Sequence, residues 1–391
     1  MFNFTAPPPL SLYIHIPWCA RKCPYCDFNS HEARGEIPER AYVEALIADL
    51  EQDLETVSER PVESVFIGGG TPSLFTPAAV CRLLTGIGTR LPLREGAEIT
   101  LEANPGTVDR ERLLRFREAG VNRLSIGVQS FQDALLEGIG RVHSGREAAA
   151  AVEAARDAGF DNINLDLMFG LPGQFPAGAV SDLETAMALQ PEHLSWYELT
   201  IEAGTPFYRH PPARPAEDVL RDIQQAGSAL LRSNAYTRYE VSAWVREDRH
   251  CRHNLNYWHF GDYLGIGAGA HGKITDVALR TITRRIKTRH PRRYLDTAHT
   301  AARISTITEL TPADAVLEYA MNALRLDAGF TATAFTAATG LPITAAAEAI
   351  RSATDRQLLE HSGDVFRATD RGRLYLDELL QFWLPAGAVS C

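Results

Sequence analysis

Short apolar runs and longer amphipathic stretches alternate along the chain from residue 11 to about residue 245. Runs at 12–16, 64–67, 98–102, 123–128, 162–168 and 193–199 are brief, rich in Val, Ile, Leu and Phe, and bounded by turn residues, which predicts strands. Between them, apolar positions recurring every three or four residues predict helices over 41–57, 78–86, 110–118, 146–158, 180–188 and 216–231, with a further strand at 238–243. Strands that alternate with helices imply a parallel sheet with helical crossovers. Six such units predict an α/β fold built on a partial or complete (β/α)6-type TIM barrel over 11–245, in which chemistry belongs on the loops after the strands' C-terminal ends.

The pattern changes near residue 305. Thr311-Pro312-Ala313-Asp314 supplies a cap, a proline at the first helical position and an acid in the first turn, and residues 309–391 are expected to form a small helical, winged-helix-like domain. Residues 246–308 are left as a motif-bearing segment and linker, and 1–10, with Pro7, Pro8 and Pro9, as a flexible N-terminus.

Composition narrows the partners. The 391 residues are 45% hydrophobic and 23% charged, and 39 basic against 49 acidic residues leave a net charge of −10, which gives no footprint for nucleic acid. No basic-then-apolar leader and no long apolar run is present, so no signal peptide or integral membrane segment is expected, and membrane contact would need a partner. The expected location is the cytoplasm, where exposed thiolates stay reduced.

The candidate chemistry starts after the first strand, where Cys19, Cys23 and Cys26 form a C-x3-C-x2-C loop. Three thiols this close suit metal. A [4Fe–4S] cluster normally takes four thiolates, so three would leave one iron open; structural thiols or a zinc knuckle short of a ligand are the competing readings, and Cys81, Cys251 and Cys391 are too scattered to complete one. After the second strand comes Gly68-Gly69-Gly70-Thr71-Pro72-Ser73, which could bring backbone close to a ligand or be an ordinary turn. Glu102-Ala103-Asn104-Pro105, Gln129-Ser130, Arg141-Val142-His143 and Asp166 follow the next strands, and together they suit a ligand with an ammonium, a carboxylate and a ribose. Later, Cys251, His253, Tyr257, Trp258 and His259 gather haem-type ligand chemistry and aromatic surface in one window, or close the barrel as core; His271, in a glycine-rich stretch, is a second candidate.

These motifs, in this order, resemble the radical S-adenosylmethionine (SAM) superfamily: the cysteine loop, GGGTPS, EANP, SIGVQSF and NLDLMFGLPGQ match its oxygen-independent coproporphyrinogen III oxidase branch from about Leu12 to about Leu384. The resemblance implies that Cys19, Cys23 and Cys26 hold a [4Fe–4S] cluster. It implies also that Tyr13, Tyr25, Gly69, Gly70, Thr71, Glu102, Gln129, Arg141 and Asp166 line the SAM site, where reductive cleavage would yield a 5′-deoxyadenosyl radical. Two departures point to the sibling haem-chaperone branch, HemW: Phe28 stands where the oxidase has a further cysteine, and only 18 residues precede Cys19. His253-Asn254-Leu255-Asn256-Tyr257-Trp258 matches that branch's H-N-x-x-Y-W motif, which implies haem as cargo near His253, Asn254, Tyr257 and Trp258, and haem-accepting proteins such as respiratory enzymes as partners. The alternative is an enzyme of the coproporphyrinogen III dehydrogenase type, removing two propionate carboxylates through substrate radicals.

Overall fold

The computed structural model describes residues 1–57 and 60–384, so Cys391 and the end of the expected 309–391 domain lie outside the described residues. The six expected strands are all present as β1 (Leu10–Ile16), β2 (Val62–Gly69), β3 (Leu93–Ala103), β4 (Arg123–Gln129), β5 (Ile163–Phe169) and β6 (His193–Glu198). They pair in parallel in chain order. Each strand keeps period two with two unlike faces. In β1, Leu12 and Ile14 pack with Leu46 and Leu50 of helix α1 (Glu39–Asp53), whereas Tyr13 and His15 face the lumen. In β4, Leu124, Ile126 and Val128 join the apolar layer while Arg123 and Ser125 point inward. Burying one such Leu or Ile contributes roughly 1.5–3 kcal/mol, so the apolar face fixes the register and leaves the polar face free for chemistry.

The sheet continues past both ends of this set. β7 (Thr237–Glu240) and β8 (Ala243–Val245) replace the single strand expected at 238–243: the chain reverses at Val241 and Ser242, and β8 runs antiparallel to both β6 and β7. On the other side, β9 (Asp262–Ile266) pairs in parallel with β1, and β10 (His271–Asp276), β11 (Thr281–Lys287) and β12 (Ile304–Glu309) follow antiparallel. The order β12-β11-β10-β9-β1-β2-β3-β4-β5-β6-β8-β7 makes a 12-stranded open sheet, that is, a partial barrel. The expectation of a linker over 246–308 is therefore corrected. Its strands alternate charged and β-branched residues, as in Thr281-Ile282-Thr283-Arg284-Arg285-Ile286-Lys287, and the buried Lys287 hides the apolar run that would have announced a strand.

The C-terminal domain opens as read, with Thr311 Oγ1 accepting the Asp314 N–H at 3.2 Å and the Asp314 carboxylate accepting the Thr311 N–H at 2.9 Å. Helices Pro312–Ala323, Ala332–Thr339 and Ala347–Asp355 pack with a three-stranded antiparallel sheet of Phe330–Thr331, Leu359–Ser362 and Val365–Ala368. The N-terminal residues, expected as a flexible segment, are packed against this domain. Phe2 and Phe4 are buried in this domain's core with Phe260, Tyr319 and Leu341, and the Asn3 N–H donates to the Gly340 carbonyl at 2.8 Å.

Candidate functional site

Beyond β1, Trp18–Cys19 pairs with His31–Glu32 in a short parallel ladder that closes the base of the cysteine loop. The glycine run after β2 is shaped by this loop. Gly70 donates to the Ile16 carbonyl and Thr71 to the Trp18 carbonyl, at 2.8 and 2.7 Å, and a Cβ on Gly70 would lie 2.5 Å from the Trp18 oxygen. Gly69, at φ +119°, meets the His15 ring so closely that a Cβ there would lie 2.7 Å from it, so only glycine fits. Across the loop, the Phe207 N–H donates to the Pro24 carbonyl at 3.0 Å. Cys19, Cys23 and Cys26 are all free thiols, and all three line one cavity of about 520 Å³.

Around that cavity stand Tyr25, Gly69, Gly70, Thr71, Glu102, Gln129, Arg141 and Asp166. Arg141 donates to Asn104 Oδ1 at 2.6 Å and approaches Cys23 Sγ at 3.9 Å, which ties the cysteine loop to the rim. Asn104 in turn donates to Thr71 Oγ1 at 2.9 Å. Gln129 ends β4 at φ +68°, a strained conformation for a non-glycine residue, and its Oε1 accepts the Tyr197 hydroxyl at 2.9 Å. Glu102 accepts the Gly69 N–H at 3.0 Å; burial and then the nearby Asp166 push its carboxyl up to about 8. Asp166 accepts Ser125 and Asn164 at 2.9 Å each, and burial raises its carboxyl against those bonds. Tyr13, grouped with these residues from sequence, does not line this cavity. It sits below the rim in mid-strand, its hydroxyl 2.9 Å from His15 Nδ1.

A second cavity of about 860 Å³ fills the lumen beneath, and Gly69, Glu102, Ser125, Asp166, Ser195 and Asn254 line both. Tyr13, Phe66, Tyr257, Tyr263 and His253 give it aromatic walls, and Arg123 and Arg289 give it charge. Helix α7 (Arg252–Trp258) crosses the end where the strands begin, its His253 N–H donating to Glu98 Oε1 at 3.2 Å. His253 Nδ1 lies 3.1 Å from Ser64 Oγ, and its ring lies 5.1 Å from Phe66 and 6.3 Å from Tyr13. Burial, helped by Arg123, lowers its imidazole to about 3, so the ring is neutral at pH 7.

The window read as one aromatic platform is in fact divided. Residues 253 and 257, one helical turn apart, face the lumen; Trp258, about 100° further round, faces the upper cavity instead, where the Arg325 guanidinium covers its ring at 4.5 Å. Cys251 is buried against Glu98 at 3.6 Å, and His259 lines neither cavity. His271 lies at the exposed lip of the lumen. Tyr197, Ser195 and Arg123 were missed, although alternation in Arg123-Leu124-Ser125 and Ser195-Trp196-Tyr197 marks them as inward-facing. Arg325 carries no such signal, since it comes from the other domain.

A family model described as the radical SAM superfamily matches residues 13–186, and one for the HemN C-terminal domain matches 310–375. The chain is 46% identical over 377 residues to the heme chaperone HemW of Escherichia coli (strain K12), covering 96% of this chain and 98% of that protein. The chain belongs to the HemW family of radical SAM proteins. A second relative, heme chaperone HemW of Haemophilus influenzae, is 44% identical over 381 residues, with 96% and 98% covered. Among solved structures, the coproporphyrinogen III oxidase HemN of Escherichia coli superposes with a TM-score of 0.82 at 22% identity, covering 96% of this chain and 90% of that one, which is a likeness of fold.

Membership of the superfamily implies a [4Fe–4S] cluster and SAM, and the HemW family name implies haem. The donor set fits the cluster: three unpaired thiols border one cavity with half-buried carboxylates and an arginine beside them. Among the described residues, no group of three His, Cys, Asp or Glu is placed to hold a single metal ion, and no helix is long and apolar enough to cross a membrane.

Proposed function

We propose that this HemW-family protein is a cytoplasmic haem chaperone that holds a [4Fe–4S] cluster on Cys19, Cys23 and Cys26, binds SAM beside it, takes haem in the lumen and delivers it to haem-requiring proteins such as respiratory enzymes. The observation that carries the reading is the adjacency of two cavities, a thiol-lined one and an aromatic one with neutral His253 on its wall. In the upper cavity, half-buried Glu102 and Asp166 suit a ligand ammonium and ribose hydroxyls, Arg141 and Gln129 suit its carboxylate, and the strand-end backbone at Gly69 and Gly70 admits close approach. Bound there, cluster and SAM supply one-electron chemistry; the protein's part is to keep Tyr25 and the rim around them and water out. In the lumen, His253 offers an imidazole nitrogen to iron while Tyr13, Phe66 and Tyr257 offer faces to an apolar macrocycle.

One observation favours the oxidase instead: because Glu102 and Asp166 border both cavities, a tetrapyrrole in the lumen would lie next to a radical formed above. Against it stands Phe28, 59% exposed at the position of the oxidase's extra cysteine. The deciding experiment is anaerobic incubation of cluster-reconstituted protein with reductant, SAM and coproporphyrinogen III. The chaperone reading expects no protoporphyrinogen and stoichiometric uptake of added haem; product formation overturns it.

A further inference from the structure

A third cavity, of about 900 Å³, opens on the outside of the cysteine loop, away from the lumen, and its walls mix aliphatic and aromatic surface from Trp18, Ile37 and Leu295 with two imidazoles, His31 and His290. The imidazoles come from separate segments, yet their rings meet edge to face with centroids 5.6 Å apart. His31 Nε2 is buried and has no hydrogen-bond partner among the described residues. His290 is the exposed ring of the pair, so a ligand in the cavity reaches it directly. At the cavity's edge Arg34 and Arg292 are exposed, and neither forms an ion pair among the described residues. Lys22, Arg34 and Arg292 outnumber Glu32 and Glu36 around the cavity, so in a chain of net charge −10 its rim is locally basic and suits a ligand that is flat and apolar in its body and anionic at its edge.

We propose that this cavity is a second haem site, in which His31 or His290 ligates iron and Arg34 and Arg292 hold the propionates. The inference rests on the haem-chaperone reading but not on His253. The site is also wired to the cluster. His31 pairs with Trp18, and Glu32 with Cys19, across the ladder that closes the cysteine loop, so order in the loop sets the position of the imidazole. One haem inside and one at the surface would give a chaperone a holding site and a hand-over site.

The test is anaerobic titration of the cluster-reconstituted full chain with haem, followed by Soret absorbance, comparing wild type, His253→Ala, and His31→Ala combined with His290→Ala. The expected result is that the double variant loses one haem equivalent, or binds it at least about tenfold more weakly, with cluster absorbance retained. Because His31 belongs to the ladder, Arg34→Glu combined with Arg292→Glu gives an independent reading on exposed residues, with the same equivalent weakened. Wild-type stoichiometry, affinity and spectrum in both double variants would overturn the second site while leaving the chaperone reading standing. Absence of haem binding by wild type would overturn both.

Discussion

Three residues at the site have consequences that can be measured singly. Glu102 is half-buried on the cavity wall with no cation to hold its charge, and its folded-state carboxyl near 8 stands above the roughly 4.3 of an unfolded glutamate. Between those values the native state holds a proton that the unfolded chain has lost, so the contribution of Glu102 to stability declines as pH rises from about 4.5 to about 8. Glu102→Gln is therefore expected to raise the melting temperature of cofactor-free protein at pH 8 and leave it nearly unchanged at pH 5, in parallel thermal scans. Under the proposed function the same change weakens SAM binding by about tenfold or more, readable by calorimetry. Cys23→Ala should abolish cluster iron and the associated visible absorption while far-UV circular dichroism stays the same; normal iron content would remove the cluster from this loop. His253→Ala deletes a buried ring and leaves Ser64 with one fewer partner, for an expected loss of about 1–3 kcal/mol in urea unfolding and a drop in haem uptake.

At the scale of elements, the decisive joint is between α7 and the C-terminal domain. Arg325 covers the Trp258 ring and reaches Glu240 at 3.2 Å, while Asp327 pairs with Arg238 at 3.0 Å, so two strand-edge residues of the barrel and one helix are held by a single turn of the other domain. Arg325→Ala leaves Glu240 buried without its cation. The expectation is a loss of about 2 kcal/mol with faster hydrogen exchange in helix Pro312–Ala323 and in α7; unchanged exchange in both would show that the joint bears no load. The sequence disclosed far less of this joint than of the barrel. The barrel strands were legible because one face of each is mainly apolar, and the cysteine and glycine motifs lie at strand ends that local pattern locates. Trp258 and Tyr257 were legible as aromatic surface, but only helical geometry assigns them to different cavities. The strands β9 to β12 stayed hidden because Lys273, Lys287 and Arg303 are buried through ion pairing, which no hydropathy pattern announces.

For the whole molecule, those buried charges decide whether barrel and extension are one cooperative body. Asp49 and Asp53, one turn apart on α1, face Lys287 at the end of β11 and Arg303 just before β12, all four nearly inaccessible to water. Lys287 bonds both carboxylates, Arg303 reaches Asp49 at 2.9 Å and Asp53 at 2.7 Å, and Asp49 also accepts the Tyr294 hydroxyl at 2.7 Å and the Gly267 N–H at 3.2 Å. Two acids meet two fully buried bases and a third, the partly exposed Arg285, which reaches Asp53 at 3.0 Å, so the buried members are intolerant of losing a partner. Lys287→Met leaves Asp49 to Arg303, and Asp53 to Arg303 and the partly exposed Arg285, and is expected to lower the unfolding free energy by about 3–5 kcal/mol, whereas Lys287→Met combined with Asp53→Asn, which again matches one fully buried acid to one fully buried base, should recover much of that loss. Because β9 pairs with β1 and Gly267 lies against His15, the extension cannot loosen without disturbing the first strand of the barrel. Denaturation of the single variant should accordingly remain one transition at lower urea, with tryptophan fluorescence and cluster absorbance lost together. A variant in which residues 262–309 exchange freely while the barrel melts at the wild-type temperature would mean that the network fastens an appendage instead of completing the fold.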